Sequence, residues 1–140
     1  MIKVSIEKKL NLSTEATWSL LTNIEEYPRY VRYVRSVEIS GPLKEGKEWF
    51  DWTSIVWIPM RVKHKTTKMI KNRKLAYEVP LPLGGKMFQS IDLSADNAST
   101  LVRGKIDFDL GNPVFNFFIG PILKLRLQSM MTSTLDKVAG

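Results

Sequence analysis

The chain has 140 residues, 44% of them apolar and 25% charged, with 21 Lys and Arg against 14 Asp and Glu for a net charge of +7. Such a composition excludes an intrinsically disordered chain, and the length is most economically one domain that buries roughly 70% of its unfolded surface. With no cysteine and a single histidine, disulfides, zinc–thiolate sites and thiol catalysis are excluded.

The N-terminus, MIKVSIEKKLNL, alternates Ile2, Val4 and Ile6 against Lys3, Ser5 and Glu7, which predicts a half-buried strand over residues 2–10. It lacks the 7–15-residue apolar core of a signal peptide, so a cytoplasmic protein is expected. STEATWSLLTNIEEY then opens a helix: Ser13 is an N-cap, Glu15 suits the positive end of the helix dipole, and Trp18, Leu21 and Ile24 recur at helical spacing. That helix must yield before Pro28, because a residue preceding proline is pushed out of the helical region. RYVRYVRSV sets Tyr30, Tyr33 and Val34 against Arg29, Arg32 and Arg35 and predicts a second short helix. SVEISGPLKEG reads as a strand ended by Gly41-Pro42 and Gly46.

From Lys47 to Leu110 the pattern is one of successive strands. KEWFDWTSIVWIP is aromatic and β-branched, and MRVKHKTTKMI alternates Met60, Val62, His64 and Thr66 against Arg61, Lys63 and Lys65. LAYEVPLPLGG, KMFQSIDLSADNAS and TLVRGKIDFDL follow at short intervals, so an antiparallel meander is expected. Gly104, in the centre of the last strand, predicts a bulge or sharp bend.

Asn112 can cap a helix that has Pro113 at its first position, and Gly120-Pro121 interrupts that helix after about two turns. A longer helix follows, with Leu123, Leu127, Met130, Thr134 and Val138 on one stripe. The uncharged run from Val114 to Leu123 is ten residues, about 15 Å as helix against a hydrocarbon core of about 30 Å, and cannot span a bilayer. The order of elements is strand, two helices, six strands and a long helix, with no internal repeat or linker. A single helix covering an open sheet leaves room for a cavity between them.

Two stretches carry a resemblance. STEATWSLLTNIEEYPRYVRYVRSVEI, residues 13–39, resembles the first helical signature of the SRPBCC superfamily, also called START-like or Bet v 1-like, in which a Trp precedes paired leucines and Tyr-Pro ends the helix. DFDLGNPVFNFFIGPILKLRLQSMMTSTLDKVAG, residues 107–140, resembles the C-terminus of the coenzyme Q-binding START group, which also holds ribosome-association proteins of the RatA type. The middle stretch EWFDWTSIVWIPM, with its three tryptophans, has no counterpart in that group. The resemblance implies an α+β helix-grip fold: a curved antiparallel sheet of about seven strands wrapped around the C-terminal helix, enclosing an apolar cavity. It also implies binding or carriage of lipids, quinones, sterols or polyketides, with some branches acting as polyketide aromatases and cyclases.

On that frame the expected cavity lining is Trp18, Trp57, Val62, His64, Tyr77, Val79, Phe88, Ile91, Val102, Ile106, Phe108, Ile119, Leu123, Leu127 and Met130. His64 is the sole candidate for imidazole acid–base chemistry, with Tyr77 or Asp51 as partners. Asp51, among Trp49, Phe50 and Trp52, is expected on the solvent side. Arg61, Lys63, Lys65, Lys68, Lys71, Arg73 and Lys74 fall within fourteen residues and would form any contact with an anionic membrane surface or a ribosome. Metal binding is not expected, since one histidine leaves only carboxylates as further ligands, and no phosphate-binding loop or cofactor motif is present. The leading reading is a non-enzymatic binding protein for a hydrophobic small molecule. A ribosome- or RNA-associated protein and a polyketide cyclase or dehydratase stay open as alternatives.

Overall fold

A computed structural model describes residues 1–55 and 57–139. β1 (Ile2–Leu10) is followed by α1 (Thr14–Thr22), a 3-10 turn at Ile24–Glu26, and α2 (Tyr27–Tyr30). Six strands come next: β2 (Val34–Glu38), β3 (Glu48–Thr53), β4 (Met60–Ile70), β5 (Lys74–Pro80), β6 (Lys86–Asp96) and β7 (Ser99–Asp109). α3 (Pro113–Phe118) and α4 (Gly120–Ala139) complete the described chain. All strands join one antiparallel sheet in the order β1-β7-β6-β5-β4-β3-β2. The α1–α2 segment therefore carries the chain from one edge strand to the other.

Local chemistry explains the helix ends. The Ser13 hydroxyl accepts from the Ala16 amide at 3.1 Å, and the Asn112 side chain accepts from Val114 N at 2.8 Å and Phe115 N at 3.4 Å. The turn from β7 into α3 is tied by Asn116, which donates to Asp109 at 2.9 Å and accepts from Leu110 N at 2.8 Å. This hydrogen bond and that from the Gly111 amide hold the Asp109 carboxyl below its ordinary pKa. The helix expected within RYVRYVRSV is shorter and earlier: α2 ends at Tyr30, Pro28 sits in its first turn, and β2 has begun by Val34. Proline lacks only a donor that the first turn leaves unused, so Pro28 starts this helix.

Strand register shows where alternation is interrupted. β4 shifts against β5 between Thr66 and Lys68, so Met69 turns inward and both Thr67 and Lys68 face outward. β7, by contrast, pairs without a shift along its whole length on both sides of Gly104, contrary to the expected bulge. A Cβ at Gly104 would lie 2.6 Å from Met131 Cε of α4, and one at Gly120 would lie 2.3 Å from Ile2 Cδ1. Both glycines let α4 lie close on the sheet where it crosses β7 and β1.

The interior is divided. Leu10, Trp18, Leu21, Ile24, Trp49, Leu75, Tyr77, Leu93, Val102 and Leu135 form one buried apolar cluster. Val4, Val79, Met87, Ile106, Phe108, Leu123 and Leu127 form a second. α4 contributes to both, with Leu135 in the first and Leu123 and Leu127 in the second.

Candidate functional site

Between the sheet and α4 lies a cavity of about 470 Å³ whose walls come from both clusters. That volume is in the range of small-molecule sites. From the sheet, Val62 and His64 of β4, Tyr77 and Val79 of β5, Ile91 of β6, and Val102 and Ile106 of β7 line it. The helical side adds Ile119, Leu123, Leu127 and Met130. Leu21, Tyr27, Trp49, Met87, Phe115 and Met131 also line the cavity without having been singled out for it. Met131 had a signal in Gly104, whose missing side chain makes room for it.

Four expected lining residues lie elsewhere. Trp18 packs in the first apolar cluster beneath α1, and Phe108 is fully buried in the second; neither reaches the cavity. Phe88 projects from the opposite face of the sheet and is 38% exposed. β6 pairs in unbroken register with both neighbours, so residues 88 and 91 must point to opposite faces. Trp57 is not on a strand, because β3 ends at Thr53; it lies in the β3–β4 loop at φ 73° and is 57% exposed. Val56, inside the strand expected over KEWFDWTSIVWIP, lies outside the described residues.

The opening is marked by residues that touch both the cavity and solvent. Leu83, in the β5–β6 turn, lines the cavity and is 75% exposed, and Ile119, at the α3–α4 junction, lines it at 39% exposure. Val114, Phe117, Phe118 and Ile122 extend this exposed apolar rim along α3 and the start of α4. Arg126 holds the β3–β4 loop against α4: Nε donates to the Ile55 carbonyl and Nη2 to the Ser54 carbonyl at 3.1 Å. Its guanidinium also lies 4.4 Å from the Tyr33 ring centroid and 4.6 Å from that of Trp57.

Away from the rim, the apolar lining gives way to a buried polar group. Asp51 is not on the solvent side: it is 5% exposed, and its Oδ2 lies 3.1 Å from His64 Nε2. The cause is register. Trp49 pairs directly with His64, so Trp49, Asp51 and Thr53 take the inner face while Phe50 and Trp52 take the outer one. The Trp49 and His64 rings stack at 4.0 Å and 8°, and Tyr77 meets them edge-on at 5.5 Å and 6.0 Å. Burial raises the ionisation of Tyr77 and of neighbouring Tyr27 well above the ordinary phenol value. The Tyr27 hydroxyl donates to the Leu21 carbonyl, and that of Tyr77 lies near the Tyr27 hydroxyl without a well-formed hydrogen bond. Trp49 Nε1, Asp51 Oδ1, His64 Nδ1 and Thr66 Oγ1 are likewise buried without partners. Each bare buried polar atom costs about 1–3 kcal/mol.

The cations of residues 61–74 lie on the outer face of β4 and around the β4–β5 turn. Arg61 pairs with Glu38 at 2.9 Å, Lys63 with Glu48 at 3.4 Å and Lys74 with Asp92 at 3.5 Å. Lys65, Lys68, Lys71 and Arg73 are exposed. Among the described residues there is no grouping of three potential ligands for a metal ion, and no helix is long and apolar enough to cross a membrane.

A curved antiparallel sheet closed by one long helix, with an apolar cavity between them, defines a helix-grip protein of the START-like class. The chain belongs to the polyketide cyclase/dehydrase and lipid transport family, whose model matches residues 1–140. In structure it is similar to the Thermus thermophilus protein TTHA0849 (TM-score 0.82, 14% identity, 99% of this chain and 94% of that one). It is also similar to a START superfamily protein of Mycobacterium smegmatis (TM-score 0.75, 17% identity, 97% and 92%). A third similar structure is the ZhuI aromatase/cyclase of Streptomyces sp. R1128 (TM-score 0.76, 14% identity, 99% and 92%). No curated protein is significantly similar in sequence.

Proposed function

We propose that the protein binds and carries a hydrophobic small molecule, such as a quinone, isoprenoid, other lipid or polyketide, in the cavity beneath α4. The observation that carries this reading is the cavity itself: about 470 Å³, walled almost wholly by apolar side chains and open beside Leu83 and Ile119. A well-packed domain of this size leaves few voids larger than a water molecule. The exposed rim of Phe117 and Phe118 suits uptake from an apolar phase such as a bilayer surface. Native mass spectrometry of protein purified without detergent and offered a broad lipid panel tests the reading; a bound apolar molecule is expected.

The Asp51–His64 pair supports a second reading, acid–base chemistry of the cyclase or dehydratase kind on a bound polyketide. The pair and Tyr77 are buried side chains on the cavity wall, where a held substrate would meet them. Loss of turnover of a candidate polyketide in His64→Ala, with binding retained, separates this reading from simple carriage.

A further inference from the structure

We propose that the inner end of the cavity recognises an uncharged hydroxyl-bearing head on the ligand, read by Asp51, His64, Tyr77 and Trp49. The inference rests on the apolar-ligand reading and narrows its chemical class.

The buried donors and acceptors of this group select a matching head. Among the described residues, the buried side-chain atoms without a well-formed hydrogen bond include one on each of four cavity-lining residues: Trp49 Nε1, Asp51 Oδ1, His64 Nδ1 and the Tyr77 hydroxyl. All four are more than nine-tenths buried. Their rings lie within 6.0 Å of one another, with Asp51 held 3.1 Å from His64. Trp49 and Tyr77 belong to the first apolar cluster, whereas the rim segments with Ile55, Leu81 and Leu110 pack on the second, so the polar group lies away from the mouth.

Their chemistry is complementary to a particular kind of head. Trp49 Nε1 can only donate, and the Tyr77 hydroxyl can donate as well as accept. Asp51 Oδ1 accepts. His64 Nδ1 donates or accepts according to the tautomer its hydrogen bond to Asp51 sets. A ligand carboxylate, phosphate or sulfonate supplies acceptors alone and would face Asp51. Among the described lining residues Lys105 of β7 is the sole Lys or Arg, and its side chain is exposed, on the face opposite Gly104 and Ile106. A protonated amine supplies donors alone: Tyr77 could accept from it, but Trp49 Nε1 would stay bare. A hydroxyl, alone or beside a carbonyl, does both: it donates to Asp51 or His64 and accepts from Tyr77 or Trp49.

Three probes that share one ring system test this by titration calorimetry: naphthol, its methyl ether and naphthoate. Naphthol is expected to bind at least about tenfold more tightly than the ether, since the ether leaves the buried acceptors unpaired. Naphthoate should be weaker than either. In Tyr77→Phe, and in the double variant Asp51→Leu/His64→Phe, which removes both partners together, the naphthol preference should shrink severalfold while ether affinity stays within about twofold. Ether binding reports whether each variant keeps its cavity. Equal binding of naphthol and ether to the unaltered protein would overturn the proposal, as would a preference unchanged in both variants or tightest binding of naphthoate. If the ether binds and naphthol holds no advantage, only the head-group inference falls. If no probe binds, the apolar-ligand reading falls with it. The comparison on the unaltered protein decides the matter even where a variant does not fold.

Discussion

At Tyr77 a buried hydroxyl has no well-formed hydrogen bond, only the neighbouring Tyr27 hydroxyl, and this trades stability against binding. A residue chosen for stability alone would be phenylalanine. Tyr77→Phe is therefore expected to raise the stability of the ligand-free protein by about 1 kcal/mol, a shift of about 3–5 °C in thermal midpoint. Differential scanning calorimetry reads this directly; an unchanged or lowered midpoint would show that the hydroxyl is satisfied in the empty protein. The buried tyrosines also set an alkaline limit. Tyr30, whose hydroxyl donates to the Leu20 carbonyl at 2.5 Å, has its pKa pushed up to about 12 by burial and the nearby Glu26, and Tyr27 and Tyr77 are raised as well. The folded state holds these protons more tightly than the unfolded chain, which ionises near pH 10. Their contribution to stability is full below that pH and declines from about pH 10 toward 12. Denaturant midpoints measured across that range should fall, and tyrosinate absorbance should appear together with unfolding. Asp51 shows how a residue's surroundings mislead at this scale. Three aromatic neighbours in sequence made a solvent-side carboxylate the natural expectation, but a strand's alternate neighbours share its face, and those are Trp49 and Thr53. His64, across the strand pair, supplies the partner that makes burial tolerable, and nothing local to Asp51 announces it.

At the scale of elements, the cavity's boundary depends on how α4 holds the segments around the mouth. Arg126 does this for the β3–β4 loop by donating to two carbonyls and lying over two aromatic rings. Both rings belong to residues in the left-handed region, Tyr33 at φ 72° and Trp57 at φ 73°, a conformation that costs energy for bulky side chains. Arg126→Lys keeps the charge but loses the planar fork and the stacking. It should speed release of a bound apolar probe severalfold in stopped-flow displacement, with a smaller effect on the midpoint of unfolding; an unchanged release rate would show that the loop does not limit exit. The capped helices and most strands were legible because their signals are local: Ser13 and Asn112 at the caps, and the alternation in β1 and β7. What was not legible depends on pairing. The register shift in β4 reverses the facing of Met69, and the end of β3 at Thr53 takes Trp57 off the sheet, although aromatic and β-branched content favoured strand throughout.

For the whole molecule, the division of the interior into two clusters with a cavity between them is the central feature. Element order leaves one open sheet to be covered by one helix, and the resemblance to the START-like superfamily implies the helix-grip architecture. The void does not follow from residue types, because the aromatic and aliphatic side chains that line a cavity are those that fill a core. Trp18 and Phe108 fill it, whereas Trp49 and Tyr77 line it, and only their relation to α4 and to one another separates the two roles. Carriage of an apolar molecule in this cavity is tested by native mass spectrometry with solvent extraction of detergent-free protein, on the unaltered chain and on Ile106→Trp, which projects an indole into the cavity. A bound apolar molecule is expected on the unaltered protein, released by extraction, re-acquired from a lipid panel, and greatly reduced in Ile106→Trp. An unaltered protein that neither carries nor takes up any apolar molecule would contradict such carriage, as would one whose bound molecule is unaffected by filling the cavity.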